Sequence, residues 1–200
     1  MSSKISKIFL NKKTKRNGEY LNGKVKEYDN GKLIFEGEFS NGEKNGKAKE
    51  YHSNGELKFE GKYSNGERCN GKEYNDDGKL IFEGEFLNGK KWNGTGKEYD
   101  HGKLYFEGEY LNGEKNGKGK GYICNKLRFE GIYLYNQNNK GVEYLKGKIG
   151  YKGEYLYNRK WNGKGFDING NMLYELKNGN GYCIYYHWNE ELEFEGEILN

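Results

Sequence analysis

From Leu33 to Phe39, apolar or small residues take every second position (Leu33, Phe35, Gly37, Phe39), with Ile34, Glu36, Glu38 and Ser40 falling between or after them. A period of two predicts a strand with one apolar face and one mostly charged face. Asn41-Gly42 then supplies a hairpin turn signal, after which Gly46 and Ala48 share one parity and Lys47, Lys49 and Tyr51 the other. The same strand-turn-strand wording returns at Phe59, Phe82, Phe106, Phe129 and Tyr151, at spacings of 24, 23, 24, 23 and 22 residues. A period of that length marks an array of one supersecondary unit. The expected fold is therefore all-β, an antiparallel meander of consecutive hairpins in a single sheet.

Each copy places a glycine two residues after its first ring: Gly37, Gly61, Gly84, Gly108, Gly131 and Gly153, with Gly196 in a last, truncated copy. If the rings share a face with the small residues of an adjoining arm, each covers a position with little or no side chain, which makes these glycines structural. The other parity then sets Glu36 and Glu38 beside Lys47 and Lys49, Glu83 and Glu85 against Lys97, and Glu107 and Glu109 against Lys118 and Lys120. Such cross-strand pairs contribute about 0.2–1 kcal/mol each, less when exposed, so they set register more than stability. A lone hairpin is marginal in water, and stability must come from stacking neighbours.

Two segments follow from this pattern. Residues 1–17 form a basic N-terminal segment in which Ile5, Ile8, Phe9 and Leu10 suffice for one strand that caps the first sheet edge. Residues 18–200 form the array, about seven to eight copies, the first clipped at Gly18–Gly23 and the pattern degenerate from about 166 to 193. A roomy site beside the turn is marked by Cys69, Trp92 and Trp161, which occupy matching places. The absence of proline leaves turns to Asn-Gly and Asp-Gly pairs.

The net charge of +4 is unevenly placed. Lys4, Lys7, Lys12, Lys13, Lys15 and Arg16 precede the first acidic residue, leaving 28 basic against 30 acidic residues in the remainder. That near-neutral body argues against nucleic acid as a partner, while the six leading cations are the candidate contact for an anionic lipid surface. Three cysteines at unlike repeat positions, without a C-x-x-C pattern, fit a reducing compartment, and Ile8-Phe9-Leu10 is too short for a signal or membrane segment. A cytoplasmic protein is expected, peripheral at most to a membrane or the cytoskeleton.

With F-x-G-x-F/Y-x-N-G followed by x-x-N-G-x-G/A-x-E-Y and a closing Asn-Gly or Asp-Gly, the chain resembles the MORN repeat (membrane occupation and recognition nexus) over roughly residues 18–200. The resemblance implies an elongated, curved single sheet of hairpins and a scaffold or adaptor role at membranes or cytoskeletal structures, in some members as homodimers, with phosphoinositide binding proposed for some. The G-K-L-x-F-E-G-x-Y-x-N-G wording also looks like the variant found in bacterial antitoxin-like proteins. The second-arm glycine becomes Ala48 in one copy, and shortened second arms leave the facing of Tyr51, Tyr99 and Tyr122 open.

No catalytic or metal constellation is legible, and no cofactor is expected. Glu36/Glu38 and Glu83/Glu85 recur beside lysines in repeat after repeat, as a charged solvent face does, and His52, His101 and His187 have no shared spacing. A non-enzymatic role follows. The candidate partner-binding surface is the aromatic row: Phe35 and Phe39, Phe59 and Tyr63, Phe82 and Phe86, Phe106 and Tyr110, Phe129 and Tyr133, Tyr151 and Tyr155. A single-layer sheet has no second layer to cover such a row, which leaves two readings: the rings are consumed in packing over neighbouring glycines, or part of the row stays exposed for a protein partner or a second copy.

Overall fold

The computed structural model describes residues 5–9, 22–186 and 191–199. Every regular element among them is a β-strand, and the strands run antiparallel in sequence order from β1 to β15, without closing into a barrel; a separate two-stranded sheet follows. The chain divides into two compact units, residues 1–95 and 96–200.

The first unit holds β1 (Ile5–Phe9), β2 (Gly23–Asp29), β3 (Lys32–Ser40), β4 (Glu43–Tyr51), β5 (Leu57–Ser64), β6 (Glu67–Tyr74), β7 (Leu80–Leu87) and the start of β8 (Lys90–Asp100). The capping strand is present as β1, whose backbone pairs with β2 from Ile5↔Asp29 to Phe9↔Val25. Small residues oppose one another across the strands: Gly37 faces Ala48, Ala48 faces Gly61, Gly61 faces Gly71, and Gly71 faces Gly84. The reason is space. A Cβ on Gly61 or on Gly71 would lie 2.7 Å from Cζ of Phe59, whose ring spans both, and within 2.8 Å of the opposite Cα. One rung holds alanine: Ala48 stands between Gly37 and Gly61, and a Cβ on Gly37 would lie 2.5 Å from its methyl.

The second unit holds the rest of β8, then β9 (Lys103–Leu111), β10 (Glu114–Ile123), β11 (Lys126–Leu134), β12 (Gln137–Leu145), β13 (Lys148–Leu156), β14 (Arg159–Phe166) and β15 (Met172–Leu176). Its ladder runs Gly108, Gly119, Gly131, Gly141, Gly153, Gly163 and stops at Leu176. After the Asn178-Gly179 turn the chain leaves the sheet. The hairpin of β16 (Gly181–Tyr186) and β17 (Leu192–Ile198) packs back on the apolar side: the Tyr174 hydroxyl donates to the Ile184 carbonyl at 3.3 Å and Cys183 is fully buried. The stretch read as degenerate thus supplies a cover.

Turn chemistry follows the sequence. Most two-residue turns carry two successive positive φ values, for example Asn41 at 52° with Gly42 at 82°, the geometry that matches strand twist. Register shifts recur just before the second-arm tyrosine, as at Glu50/Tyr51 and Glu73/Tyr74. These bulges re-aim the tyrosine, which settles its facing in two copies: Tyr51 donates to Glu36 at 2.7 Å and Tyr122 to Glu107 at 2.6 Å, on the charged face.

One expected pairing is corrected. Glu83 meets Lys72 at 3.5 Å, and Lys97 meets Glu107 at 3.5 Å. Between its ladder glycine and its tyrosine, β8 (Gly94 to Tyr99) carries two more residues than β6 (Gly71 to Tyr74), which moves Lys97 along to the following hairpin.

Candidate interaction surfaces

Of the two readings of the aromatic row, packing over glycine holds and the exposed groove is ruled out. All twelve rings are buried, none more than 8% exposed. Within the first unit, Phe35 stands edge-on to Phe39 and Tyr63 at 5.9 and 5.8 Å between centroids, and Phe59 edge-on to Tyr63 and Phe86 at 5.7 and 5.5 Å. The second unit repeats this through Phe106, Tyr133, Phe129 and Tyr155. Each edge-to-face pair adds about 0.5–1.5 kcal/mol beyond area burial. Packing over glycine has consumed the rings.

What finishes the burial is a set of cations that sequence reading left unassigned. The second residue after a turn reaches over the ring of the same copy: Lys44 Nζ lies 3.9 Å from the Phe35 centroid, the Arg68 guanidinium 4.4 Å from Phe59, and Lys115 4.3 Å from Phe106. Each is held by a carboxylate that stands opposite a ring: Lys44 by Glu27 at 3.5 Å, Arg68 by Glu50 at 2.7 Å, Lys91 by Glu73 at 3.4 Å, Lys115 by Glu98 at 2.8 Å and Lys160 by Glu143 at 3.3 Å. Cation–π contact and ion pairing therefore act on one group, and the charged pair forms a lid across the apolar face. The missed signal was periodic: a Lys or Arg two residues past Asn-Gly.

Electrostatics follow. Burial by itself raises the Glu50 carboxyl, but hydrogen bonds from Arg68 and Tyr63 outweigh it and hold the group below its usual range; Lys115, Tyr105 and Tyr110 do the same for Glu98. Burial first, and the Glu36 carboxylate second, push the Tyr51 hydroxyl up to about 12. These shifts come from burial, hydrogen bonding and ion pairing that recur along the array.

The lid has a gap in the second unit. Gly121 stands opposite Phe129 where Glu27, Glu50, Glu73 and Glu143 stand opposite their rings, and Asn138 replaces the cation, so both members of the pair are missing together. Gly165, opposite Tyr174, also lacks the glutamate, there beside the covering β16–β17 hairpin. The Tyr133 hydroxyl takes the vacated space, 2.8 Å from where a Gly121 Cβ would be, and burial pushes its pKa up to about 12.

On the opposite face the units differ more. In the first, Lys26, Glu36, Lys49, Glu60, Lys72 and Glu83 alternate in sign from strand to strand along a groove of about 700 Å³ floored by Gly37, Ala48, Gly61 and Gly71. In the second, Ile132 and Val142 stand where that row and its neighbour are charged in the first, and the residues closing each hairpin are leucines: Leu111, Leu134 and Leu156, each 41–48% exposed. Tyr135 and Tyr157 occupy the turn tips, 65% and 78% exposed. The matching closing positions in the first unit are Ser40, Ser64 and Leu87, the last 46% exposed.

Of the candidate lipid contacts, Lys4, Lys12, Lys13, Lys15 and Arg16 lie outside the described residues, and for Lys7 only the backbone, within β1, is described. The histidines stay apart: His52 Nε2 is 3.0 Å from the Tyr74 carbonyl, His101 sits in a turn beside Asp100, and His187 is outside the described residues. Cys69 and Trp92 are half-buried beside their turns, the Cys69 thiol donating to the Lys62 carbonyl at 3.4 Å. Neither a family model nor a curated protein matches the chain.

Proposed function

We propose that the chain is a non-enzymatic, MORN-like scaffold that binds protein through the side-chain surface of its second unit. The observation that carries this reading is the row of exposed leucines and turn-tip tyrosines on a sheet whose own aromatic core is complete without them. Exposed apolar area is costly in water, and contiguous patches of it mark contact sites. A rigid repeat sheet suits such a role, because it holds side chains at fixed intervals of about 4.8 Å per strand. The aromatic row, the first candidate, serves this function indirectly, by fixing the platform.

The test is photo-crosslinking in the native cell with a benzophenone amino acid at Leu134, and at Lys47 in the first-unit groove as control. A discrete protein adduct from position 134, absent from position 47, is the expected result. Equal labelling from both positions, or none from 134, would overturn the proposal.

A further inference from the structure

The residues closing the hairpins of the second unit form a row with an internal symmetry. Across β9 to β14 they read Leu111, Glu114, Leu134, Gln137, Leu156, Arg159, paired within hairpins as Leu111↔Glu114, Leu134↔Gln137 and Leu156↔Arg159. Pairing puts both members of each hairpin end on one face, the face away from the aromatic core. Counted outward from Gln137, the first neighbours are both leucine and the second neighbours are Glu114 on one side and Arg159 on the other.

We infer that this row is a self-complementary interface for a second copy of the chain, with the two-fold axis parallel to the strands and passing at Gln137. Such an axis reverses strand order and keeps height along the strands. It lays Leu134 on Leu156 of the second copy, Glu114 opposite Arg159, and Gln137 on its own mate, and it does so twice, as an isologous contact requires. The Gln137 amide carries both donor and acceptor groups and can bond its mate across the axis. The inference deepens the scaffold reading and rests on it, naming the partner of the same surface.

Two further observations fit. Tyr135 and Tyr157 have φ of 49° and 50° at turn positions where six of the other turns have asparagine. A bulky ring in that region is strained, and its retention at two successive hairpins is explained if both rings flank the axis and pack in the dimer. The next row inward sets a limit. The same operation would bring Lys140 onto Lys140, although each is held by Glu154 at 3.4 Å, so contact stays at the hairpin ends. An interface of that width buries on the order of 1,000 Å² in total, the small class to which weak, reversible contacts belong.

Sedimentation equilibrium of the full chain over about 10–500 µM tests it. The wild type should follow a monomer–dimer equilibrium. Glu114→Arg alone and Arg159→Glu alone should each weaken the dimer at least about tenfold, by placing like charges opposite one another at both ends. An equimolar mixture of the two variants should restore it, because each then offers the sign the other lacks. Leu134→Glu should abolish it independently. A wild type that stays monomeric throughout, or a mixture no tighter than either variant alone, overturns the inference. So does binding of phosphatidylcholine vesicles that Leu134→Glu removes, which would assign the row to lipid. A Leu134 crosslink to an unrelated protein, with a monomeric chain, would sink the second-copy inference and leave the scaffold reading standing.

Discussion

The two units share a core and differ outside it. In both, a ring lies on a pair of opposed glycines and stands edge-on to its neighbours, and in both a Lys or Arg held by a glutamate closes the face. The first unit keeps this lid over Phe35, Phe59 and Phe82 and carries an alternating charged row behind it. The second omits the pair at Gly121 and Asn138, carries leucine at three successive hairpin ends where the first has two serines and one leucine, and sets tyrosine at two of its turn tips. The ring-on-glycine arrangement admits nothing larger than the methyl of Ala48 among the described rungs from Gly37 to Gly163, because a ring and two backbones meet there. The outer face is free to vary, so whatever distinguishes this chain from a generic hairpin array lies where its own copies disagree.

The comparison breaks first if the rings are not equivalent. Phe59→Ala removes a fully buried ring together with its contacts to Tyr63, Phe86 and Arg68, and is expected to cost about 3–5 kcal/mol. Phe194 covers Gly196 in the last copy but is itself 41% exposed, so Phe194→Ala should cost below about 1 kcal/mol. Repeat arrays need not unfold in one step, so native-state hydrogen exchange resolved by strand is the measurement. Equal losses of protection would show that burial over glycine is not what holds the array.

Next in size is the glycine floor. Gly71→Ala sets a methyl against the Phe59 ring and the Gly61 backbone with nothing free to move, which should cost about 1–3 kcal/mol. Gly121→Ala meets only the Tyr133 hydroxyl within 3.5 Å and should cost less than half as much on urea titration. If the second substitution proves the worse, the lid gap is not open space.

The lid itself predicts a pH effect with a definite sign. Glu50 and Glu98 have folded pKa values below the ordinary 4.5, so their contribution is present above that value and is lost as pH falls through the folded one. Exchange protection should therefore decline on acidification in β4–β6 and β8–β9 before β10–β12, where the pair is missing. Writing the pair in, as Gly121→Glu with Asn138→Lys, should show favourable coupling of about 1 kcal/mol in a double-mutant cycle and remove that difference. Zero coupling would mean that the two absences are unrelated.

Much of this was legible in the sequence because periodicity and sterics act locally. The pleat fixes which residues share a face, so Phe35, Gly37 and Phe39 could be set on one side and Glu36 and Glu38 on the other. Asn-Gly pairs set the turns. Three things were hidden. Whether the rings stay exposed depends on Lys44 and Arg68 reaching over them, and a long side chain's reach is not a matter of parity. The facing of Tyr51 turned on a bulge, a one-residue register change fixed only when β4 pairs with β5. The Lys97 partner turned on two extra residues in β8, whose consequence appears only in the paired sheet.

The smallest effect is the most diagnostic of what the second unit is for. Tyr135→Asn places at a φ of 49° the residue used there at Asn41, Asn65, Asn88 and Asn112, which removes local strain and should stabilise the monomer by about 1 kcal/mol. The same change removes a flanking ring from the proposed two-fold contact, so thermal stability measured at low concentration should rise while the dimer weakens. In the first unit the reverse substitution, Asn41→Tyr, should destabilise the chain by a similar amount and leave association untouched. If Tyr135→Asn strengthens or spares the dimer, the strained tyrosines belong to the turn alone, and the outer face of the second unit must draw its specificity from the leucines and the Glu114–Arg159 pairing.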